Sequence, residues 1–356
     1  MRVSAQSLFN TSGQQLPLER IYAPIDYAVV GQQKSGTSTL WNLLTWNSAV
    51  RWAGFQKEQF YFAAEIPKTV LCDQDIQTYL GMASIQRLRE NRTDALIGDW
   101  SATYFSCICC AASLRTLNPK MKIIVVLRDP ADRTLSRFLE QKRHHRGPFG
   151  AVTANHTFAS WVAFELAELR GCLERAAVLK APPGVGTGAG GPEFPGWGAG
   201  WSLHQWMEAQ CYSRSNIVGW SVYAPFLENW LAQFGPQKVM VVYTAELATD
   251  PASVLQRLEA FLEVPPAKYN PDNIKLVFNS RDCYNWRCAK KKGEISSSEA
   301  ASNGTNAGID PRAAAFKAAM QALVEFYKPG VQRLVQWADA GKITKVPAEW
   351  RSIYGV

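Results

Sequence analysis

The sequence feature that most constrains the fold is a short apolar strand that runs directly into a loop of small polar residues. Residues 26–30 (DYAVV) are β-rich, and the loop follows as Gly31-Gln-Gln-Lys-Ser-Gly-Thr-Ser-Thr39. A helix is predicted next, because apolar residues cluster on one helical face between Leu40 and Leu44. In this context the loop lies at the carboxyl edge of a sheet, where it predicts a phosphate-binding site.

The chemistry of this loop suits an anion. Small residues let backbone N–H groups face outward, and the helix N-terminus adds partial positive charge. Lys34 adds a full charge, and the hydroxyls of Ser35, Thr37 and Ser38 can donate hydrogen bonds. The lysine precedes the second glycine, Gly36, so the Walker A pattern G-x-x-x-x-G-K-[ST] is not met. For the string by itself, an ordinary strand–turn–helix junction is the alternative.

Strands and helices alternate along the rest of the chain. Strands are predicted at residues 95–98, 122–127 and 238–243, and helices at residues 223–234, 251–262 and 312–327. Pro130 lies where the first turn of a further helix should begin. This alternation predicts an α/β fold with a central parallel sheet flanked by helices on both faces.

The length of 356 residues and the apolar fraction of 47% allow one large domain. Residues 181–200 are rich in Gly and Pro and predict a surface insertion, and residues 296–308 predict a flexible loop. The α/β pattern resumes after each, so neither is a domain linker. We therefore expect a single domain over residues 21–356. The preceding residues 1–20 are either extended or lie downstream of a removed anchor.

The charge of the chain narrows the class of partner. Lys and Arg number 38 against 30 Asp and Glu, a net charge of +8, which favours anionic partners. No nucleic-acid-binding motif is evident, so no nucleic-acid partner is expected.

No run of about 18 apolar residues is present, so membrane contact is expected only through an N-terminal anchor outside this sequence. Eight cysteines and four N-x-[ST] sequons favour a lumenal over a cytoplasmic location.

The order G-x-x-K-S-G-T-[ST] resembles the 5′-phosphosulfate loop of the sulfotransferases, which use 3′-phosphoadenosine-5′-phosphosulfate (PAPS). The resemblance implies a P-loop-like sulfotransferase fold. It also implies that Lys34 contacts the phosphosulfate and stabilises the leaving phosphate, and that the cofactor is cradled by Ser35, Gly36, Thr37 and Ser38.

The second signature of that family is an Arg at a strand end, followed about eight residues later by a Ser in the next helix. In KIIVVLRDPADRTLSRF these positions are Arg128 and Ser136, which by resemblance bind the 3′-phosphate of PAPS. By itself, Arg128 could instead pair with Asp129 or Asp132.

The resemblance covers most of residues 21–350 and points to the Golgi carbohydrate sulfotransferases of the heparan sulfate type. Lys57-Glu-Gln-Phe-Tyr-Phe62 resembles their K-E-x-x-F-F segment, whose glutamate is the general base, so Glu58 is the expected base. Residues 223–251 are similar to their Y-x-x-x-L-x-x-W-L-x-x-F…L-x-x-D-P stretch. A Golgi lumenal location is implied, with the cytoplasm as the alternative.

The C-terminal part resembles the family at Cys283-Tyr-Asn-Trp-Arg-Cys288 and at Lys290-Lys-Lys-Gly293. In the family these segments form a disulfide and a loop that gates the cofactor. The resemblance therefore implies a disulfide between Cys283 and Cys288. It also implies cofactor contacts from Cys283, Lys291, Lys292 and Gly293.

Three positions depart from the family pattern. Residues 99–105 (DWSATYF) resemble an E-K-[ST]-P-x-Y-F segment, but Trp100 replaces the lysine and Ala102 replaces the proline. In heparan-type enzymes that lysine lies close to the sulfate and the acceptor. Glu294 replaces an arginine of the gating loop.

The expected function is transfer of sulfuryl from PAPS to a glycan hydroxyl or amine. The alternatives are a non-catalytic homologue that binds glycan or nucleotide, and a P-loop nucleotide kinase.

The environment of Glu58 has two interpretations. Partial burial among the aromatic residues 60–62 would make its carboxylate a stronger base, as a general base requires. Alternatively, Glu58 pairs with Lys57 or Arg51 on a solvated surface.

The basic run Lys142-Arg-His-His-Arg146 is either a solvated face or one wall of a cleft for an anionic sugar chain. In the second case the expected acceptor contacts are Lys57, Arg143 and His144.

No metal site is expected, since Cys107-Ile-Cys-Cys110 has no second cluster at zinc spacing. Those cysteines are either core residues or include one disulfide partner. A second disulfide between Cys172 and Cys211 would close off the 181–200 insertion.

Overall fold

The computed structural model describes residues 25–53, 57–63, 78–81, 95–143, 148–178, 200–279, 288–291 and 311–356. The predictions for residues 1–20, for the 296–308 loop and for all but the last residue of the 181–200 insertion fall outside the described residues.

Five parallel strands form the central sheet. They are β1 (Tyr27–Gly31), β2 (Val50–Trp52), β3 (Leu96–Asp99), β4 (Lys122–Leu127) and β5 (Val239–Tyr243). Their spatial order is β2-β3-β1-β4-β5, and every neighbouring pair is parallel. The predicted parallel sheet is therefore confirmed. Because β1 and β4 are neighbours, the loops that follow these two strands emerge side by side at the carboxyl edge.

Helices cover both faces of this sheet. They are α1 (Thr37–Leu44), α2 (Cys110–Leu117), α3 (Pro130–Arg143), α4 (Pro148–Ala154), α5 (Phe158–Val178), α6 (Leu203–Arg214), α7 (Tyr223–Phe234), α8 (Thr244–Thr249), α9 (Pro251–Leu262), α10 (Pro311–Asp339) and α11 (Ala348–Tyr354). Two further strands, β6 (Leu276–Phe278) and β7 (Ala289–Lys291), pair antiparallel as a separate ribbon. None of the described helices is both long enough and apolar enough to cross a membrane.

Alternate residues of β4 enter two separate apolar layers. Ile124 and Val126 pack with α1 and α9 on one face, whereas Ile123, Val125 and Leu127 pack with α2, α7 and α10 on the other. A strand buried on both faces needs a continuous apolar sequence, which explains the run KIIVVL.

The helices predicted at residues 223–234 and 251–262 are confirmed with the same bounds, and α3 begins at Pro130 as expected. Helix α10 is longer than predicted, since it runs from Pro311 to Asp339 through an internal Pro329. The Cys172–Cys211 disulfide is present and joins α5 to α6 across the insertion.

Candidate active site

The phosphate loop depends on two glycines, one at the end of β1 and one directly before α1. Gly31 has φ +146°, and a Cβ there would lie 2.7 Å from the Ala102 carbonyl oxygen and 2.8 Å from the Phe105 Cβ. Gly36 has φ +92°, a left-handed conformation that L side chains rarely adopt, directly before Thr37 begins α1. The loop therefore turns tightly against the segment after β3, and the first turn of α1 begins at its end.

One cleft of about 1250 Å³ opens at the carboxyl edge of the sheet above this loop. Its lining includes predicted residues from three segments of the chain, namely Lys34, Gly36, Thr37, Ser38, Glu58, Arg128 and Ser136. Other walls come from β6, from α10 and from α11. The order of the strands thus brings together the two predicted anion sites and the predicted base.

The other predicted residues lie in different places. Ser35 is fully buried beneath the loop, where its carbonyl accepts a hydrogen bond from Thr244 at 2.6 Å. Arg143 is exposed at the last residue of α3. Lys291 lies in β7, opposite the cleft-lining Leu276. The described residues do not include His144, Cys283, Lys292 or Gly293.

The cysteines are oxidised where they are described. Cys107 and Cys110 form a buried disulfide, and Cys109 is disulfide-bonded as well. Cys288 is also part of a disulfide, but its predicted partner Cys283 lies outside the described residues, so that pairing stays a prediction. Across the described ranges, no group of three or more His, Cys, Asp or Glu side chains could hold a metal ion.

Lys34 is held by a carboxylate on the wall of the cleft. Its Nζ lies 2.8 Å from Oε1 of Glu140, whose Oε2 accepts a hydrogen bond from Arg137 at 2.6 Å. Burial lowers the pKa of Lys34, and Glu140 acts in the opposite direction. Burial alone would raise the pKa of Glu140, but Lys34 and Arg137 outweigh it and hold that pKa at about 2.

The second anion site is built at the junction of β4 and α3. The guanidinium of Arg128 is partly exposed and lies 3.6 Å from Asp132, one of its two expected partners. Its backbone carbonyl accepts a hydrogen bond from the Tyr223 hydroxyl at 2.9 Å. The hydroxyl of Tyr354 donates to Asp129 at 3.0 Å, so α11 also braces this junction. Ser136 lies farther along α3 and lines the same cleft.

Glu58 combines features of both interpretations of its sequence context. It forms an ion pair with Lys57, but that lysine is only 3% exposed, so the pair is enclosed at the cleft rather than on a solvated surface. The Nζ of Lys57 also donates to the Thr37 hydroxyl at 3.3 Å. The second oxygen of Glu58 accepts the Ala102 N–H at 3.0 Å. The other expected partner, Arg51, donates to the backbone carbonyl of Val50.

A buried carboxyl group, that of Asp99, organises the segment that carries Glu58. It accepts hydrogen bonds from the hydroxyls of Ser101 at 2.6 Å, Tyr79 at 2.6 Å and Tyr104 at 3.2 Å. The Ser101 hydroxyl accepts the N–H groups of residues 59 and 60, and the Tyr104 hydroxyl accepts that of residue 61. Burial raises the pKa of Asp99. This network fixes the backbone directly after the predicted base.

Trp100 occupies the position of the family lysine and is a core residue. It is 1% exposed, and its ring packs edge-on against Tyr27 with centroids 6.1 Å apart. Its Nε1 donates to the Tyr27 hydroxyl at 2.9 Å. Trp100 belongs to the apolar layer beneath α1 and α9 and is not among the residues that line the cleft.

Sequence reasoning missed Arg133, which connects the phosphate loop to the chain before α7. This arginine is fully buried, and its guanidinium donates to the backbone carbonyls of Gln33, Ile217 and Asn216 at 2.8–3.0 Å. Glu140 was missed as well. Both lie on the face of α3 that carries Ser136, since Arg133 is three residues before it and Glu140 is four residues after it. This helical spacing is the sequence signal from which they could have been predicted.

The chain is similar to known proteins over most of its length. The model of the sulfotransferase domain matches residues 24–303 of the chain. Human bifunctional heparan sulfate N-deacetylase/N-sulfotransferase 3 is 26% identical over 259 residues, which cover 71% of this chain and 24% of that protein. Bifunctional heparan sulfate N-deacetylase/N-sulfotransferase 1 from Xenopus laevis is 27% identical over 244 residues, which cover 67% of this chain and 22% of that protein.

This chain thus spans less than a quarter of the length of these two relatives. A crystal structure of a sulfotransferase from Alicyclobacillus acidocaldarius has the same fold, with a TM-score of 0.51 and 19% identity. The match covers 92% of this chain and 98% of that chain. Since the domain model covers well over half of the sequence, this chain belongs to the sulfotransferase family.

Proposed function

We propose that this protein is a carbohydrate sulfotransferase that moves the sulfuryl group of PAPS to a hydroxyl or an amine of a glycan by in-line displacement. The observation that carries the proposal is a single cleft lined by Lys34, Glu58, Arg128 and Ser136. These residues come from three separate segments of the chain. Each has the charge or the hydrogen-bonding group that its proposed role requires.

The donor groups of the cleft fit a nucleotide with phosphate at two separate positions. At the phosphate loop, Lys34 offers a full positive charge and the N-terminus of α1 offers backbone N–H groups. At the other site, Arg128 offers a guanidinium and Ser136 a hydroxyl. ATP has no 3′-phosphate for this second pair, whereas PAPS has one. When bound, PAPS supplies the sulfuryl group.

Two side chains carry the proposed chemistry. Lys34 provides the positive charge that faces the leaving phosphate, a stabilisation that matters most where charge develops in the transition state. Glu58 accepts the proton of the acceptor hydroxyl, which requires an oriented carboxylate within hydrogen-bonding reach of the substrate. Both side chains line the cleft, as this division of roles requires.

A glycan acceptor is supported by the relatives, whose names specify heparan sulfate, and by the net charge of +8. We propose that the basic end of α3 contributes to acceptor binding through Arg143 and the adjoining His144. Lys57 lies behind Glu58, so its proposed contact with the acceptor is the least direct of the three.

We also propose a lumenal location, as in the Golgi. Disulfides such as Cys107–Cys110 and Cys172–Cys211 persist in oxidising compartments and are rare in the cytosol. The sequon that begins at Asn155 lies on an exposed part of the surface, where glycosylation is sterically possible.

Calorimetric titration with nucleotides tests the donor assignment. Adenosine 3′,5′-bisphosphate, the product of the donor, should bind at least about tenfold more tightly than AMP, which lacks only the 3′-phosphate, because a lost charge-assisted contact costs about 1.5–3 kcal/mol. Arg128→Ala should remove this preference while leaving AMP affinity nearly unchanged. Equal affinity of wild type for both nucleotides would contradict the assignment. A panel of desulfated glycans in a transfer assay would then identify the acceptor.

A further inference from the structure

The carboxylate of Glu58 is held at both oxygens by groups from two different segments. One oxygen pairs with the Lys57 ammonium, and the other accepts the Ala102 N–H at 3.0 Å. A carboxylate has about four lone-pair positions, and one contact at each oxygen helps to set its orientation. The Glu58 side chain is 21% exposed and reaches the cleft.

Lys57 also links this carboxylate to the phosphate loop. Its Nζ donates to the hydroxyl of Thr37, the first residue of α1, at 3.3 Å. Among the described residues, the charged groups near Glu58 include Lys57 beside it and the buried Asp99, whose carboxyl interacts with it from the end of β3. The ammonium of Lys57 compensates the Glu58 carboxylate, and its burial leaves it little freedom to move.

Ala102 matters because it keeps its N–H group. The family pattern has proline at this position, and proline has no backbone N–H to donate. The departure at Trp100 is complementary, because the side chain there packs in the apolar layer under α1 and brings no charge to the cleft. The cation and the amide at the base therefore come from residues 57 and 102.

We propose that Lys57 and the Ala102 amide are positioning groups that orient the Glu58 carboxylate against the phosphate loop. Lys57 also provides the positive charge beside the base that position 100 does not supply. This inference rests on the proposed function, since it specifies how the base of that reaction is held.

The test compares Lys57→Met and Ala102→Pro with the matched controls Lys57→Arg and Ala102→Gly, which keep the charge and the N–H. Steady-state transfer from PAPS gives kcat and KM, calorimetry with adenosine 3′,5′-bisphosphate gives nucleotide affinity, and thermal melting verifies folding. Lys57→Met and Ala102→Pro should lower kcat about 10²-fold, the cost of a misplaced catalytic group, with nucleotide affinity changed less than about threefold. The controls Lys57→Arg and Ala102→Gly should retain most of the wild-type kcat.

A double-variant cycle separates positioning of Glu58 from other roles. In a Glu58→Gln background, Lys57→Met should cause almost no further loss of kcat, since both changes disable the same group. A full additional loss in that background would overturn the inference, as would a Lys57→Met variant with normal kcat and weakened nucleotide binding. Transfer that survives Glu58→Gln alone would instead overturn the base assignment of the proposed function.

Discussion

The ammonium of Lys34 lies 2.8 Å from one carboxylate oxygen of Glu140, and Arg137 donates to the other oxygen at 2.6 Å. A carboxylate at the edge of an anion-binding cleft is unexpected, because its negative charge repels an anionic ligand. Burial lowers the pKa of Lys34, and the Glu140 carboxylate opposes that effect. Glu140 therefore helps to keep Lys34 protonated, as the proposed reaction requires.

Glu140→Gln should move the alkaline limb of the kcat/KM profile for PAPS to lower pH. The substitution removes the negative charge but leaves burial and the repulsion from Arg137 and Arg128, so the pKa of Lys34 falls further. Loss of an opposite charge at this distance disfavours the protonated form of Lys34, so the limb should lie at a clearly lower pH than in the wild type. Asp132→Asn, which removes a carboxylate beside Arg128, is the control and should leave the limb in place. An unmoved limb in Glu140→Gln would disprove this role.

Arg133→Met should destabilise the fold and weaken nucleotide binding together. The variant removes the guanidinium hydrogen bonds to the carbonyls of Gln33, Ile217 and Asn216, and the loss of a buried hydrogen bond costs about 1–3 kcal/mol. Urea denaturation should show a loss of at least about 3 kcal/mol in the free energy of unfolding. The exposed Arg115→Met is a control that should change it by less than about 0.5 kcal/mol. Wild-type stability in Arg133→Met would contradict this account of the loop.

Glu165 in α5 is a buried carboxyl group outside the cleft. It accepts a hydrogen bond from Trp161 Nε1 at 2.6 Å and another from the Ser215 hydroxyl. Burial raises its pKa from the ordinary 4.5 to about 7. The folded state therefore binds this proton more tightly than the unfolded state does. The resulting contribution to stability is complete below the unfolded pKa and is lost as the pH rises to about 7.

The free energy of unfolding of the wild type should therefore decrease between pH 4.5 and pH 7, with Glu165 contributing about 3 kcal/mol of that decrease. Glu165→Gln is neutral throughout this range and should show a shallower dependence. Urea denaturation at a series of pH values measures the difference. The same pH dependence in both proteins would show that Glu165 titrates near its ordinary pKa.

The parts of the fold that sequence reasoning predicted are those with a strong local pattern. Strand β4 is continuously apolar, and α7 repeats apolar residues at helical spacing, so both were predicted. Strand β2 has only three residues, which is too short for a periodic signal. Helix α6 buries only Ala209 and Cys211 on a largely polar sequence, so its amphipathic pattern is weak.

The site was predicted in part for a similar reason. Lys34, Arg128 and Ser136 belong to contiguous motifs, and the structure brings them to one cleft. Glu140 and Arg133 were not predicted, because charged residues inside a helix are usually solvated, and their burial follows only from the packing of α3 on the loop. The Ala102 contact depends on a backbone N–H, which no side-chain pattern reveals.

Transfer of ³⁵S from labelled PAPS to a panel of desulfated glycans tests the central claim most directly. Wild type should label at least one glycan. Lys34→Ala should lose about 10²–10³ in rate and Glu58→Gln about 10²–10⁴. Substitutions at two exposed positions, Lys317→Ala and Glu263→Gln, should have no effect on the transfer rate. Absence of transfer by a wild-type protein that also fails to bind adenosine 3′,5′-bisphosphate would contradict the account.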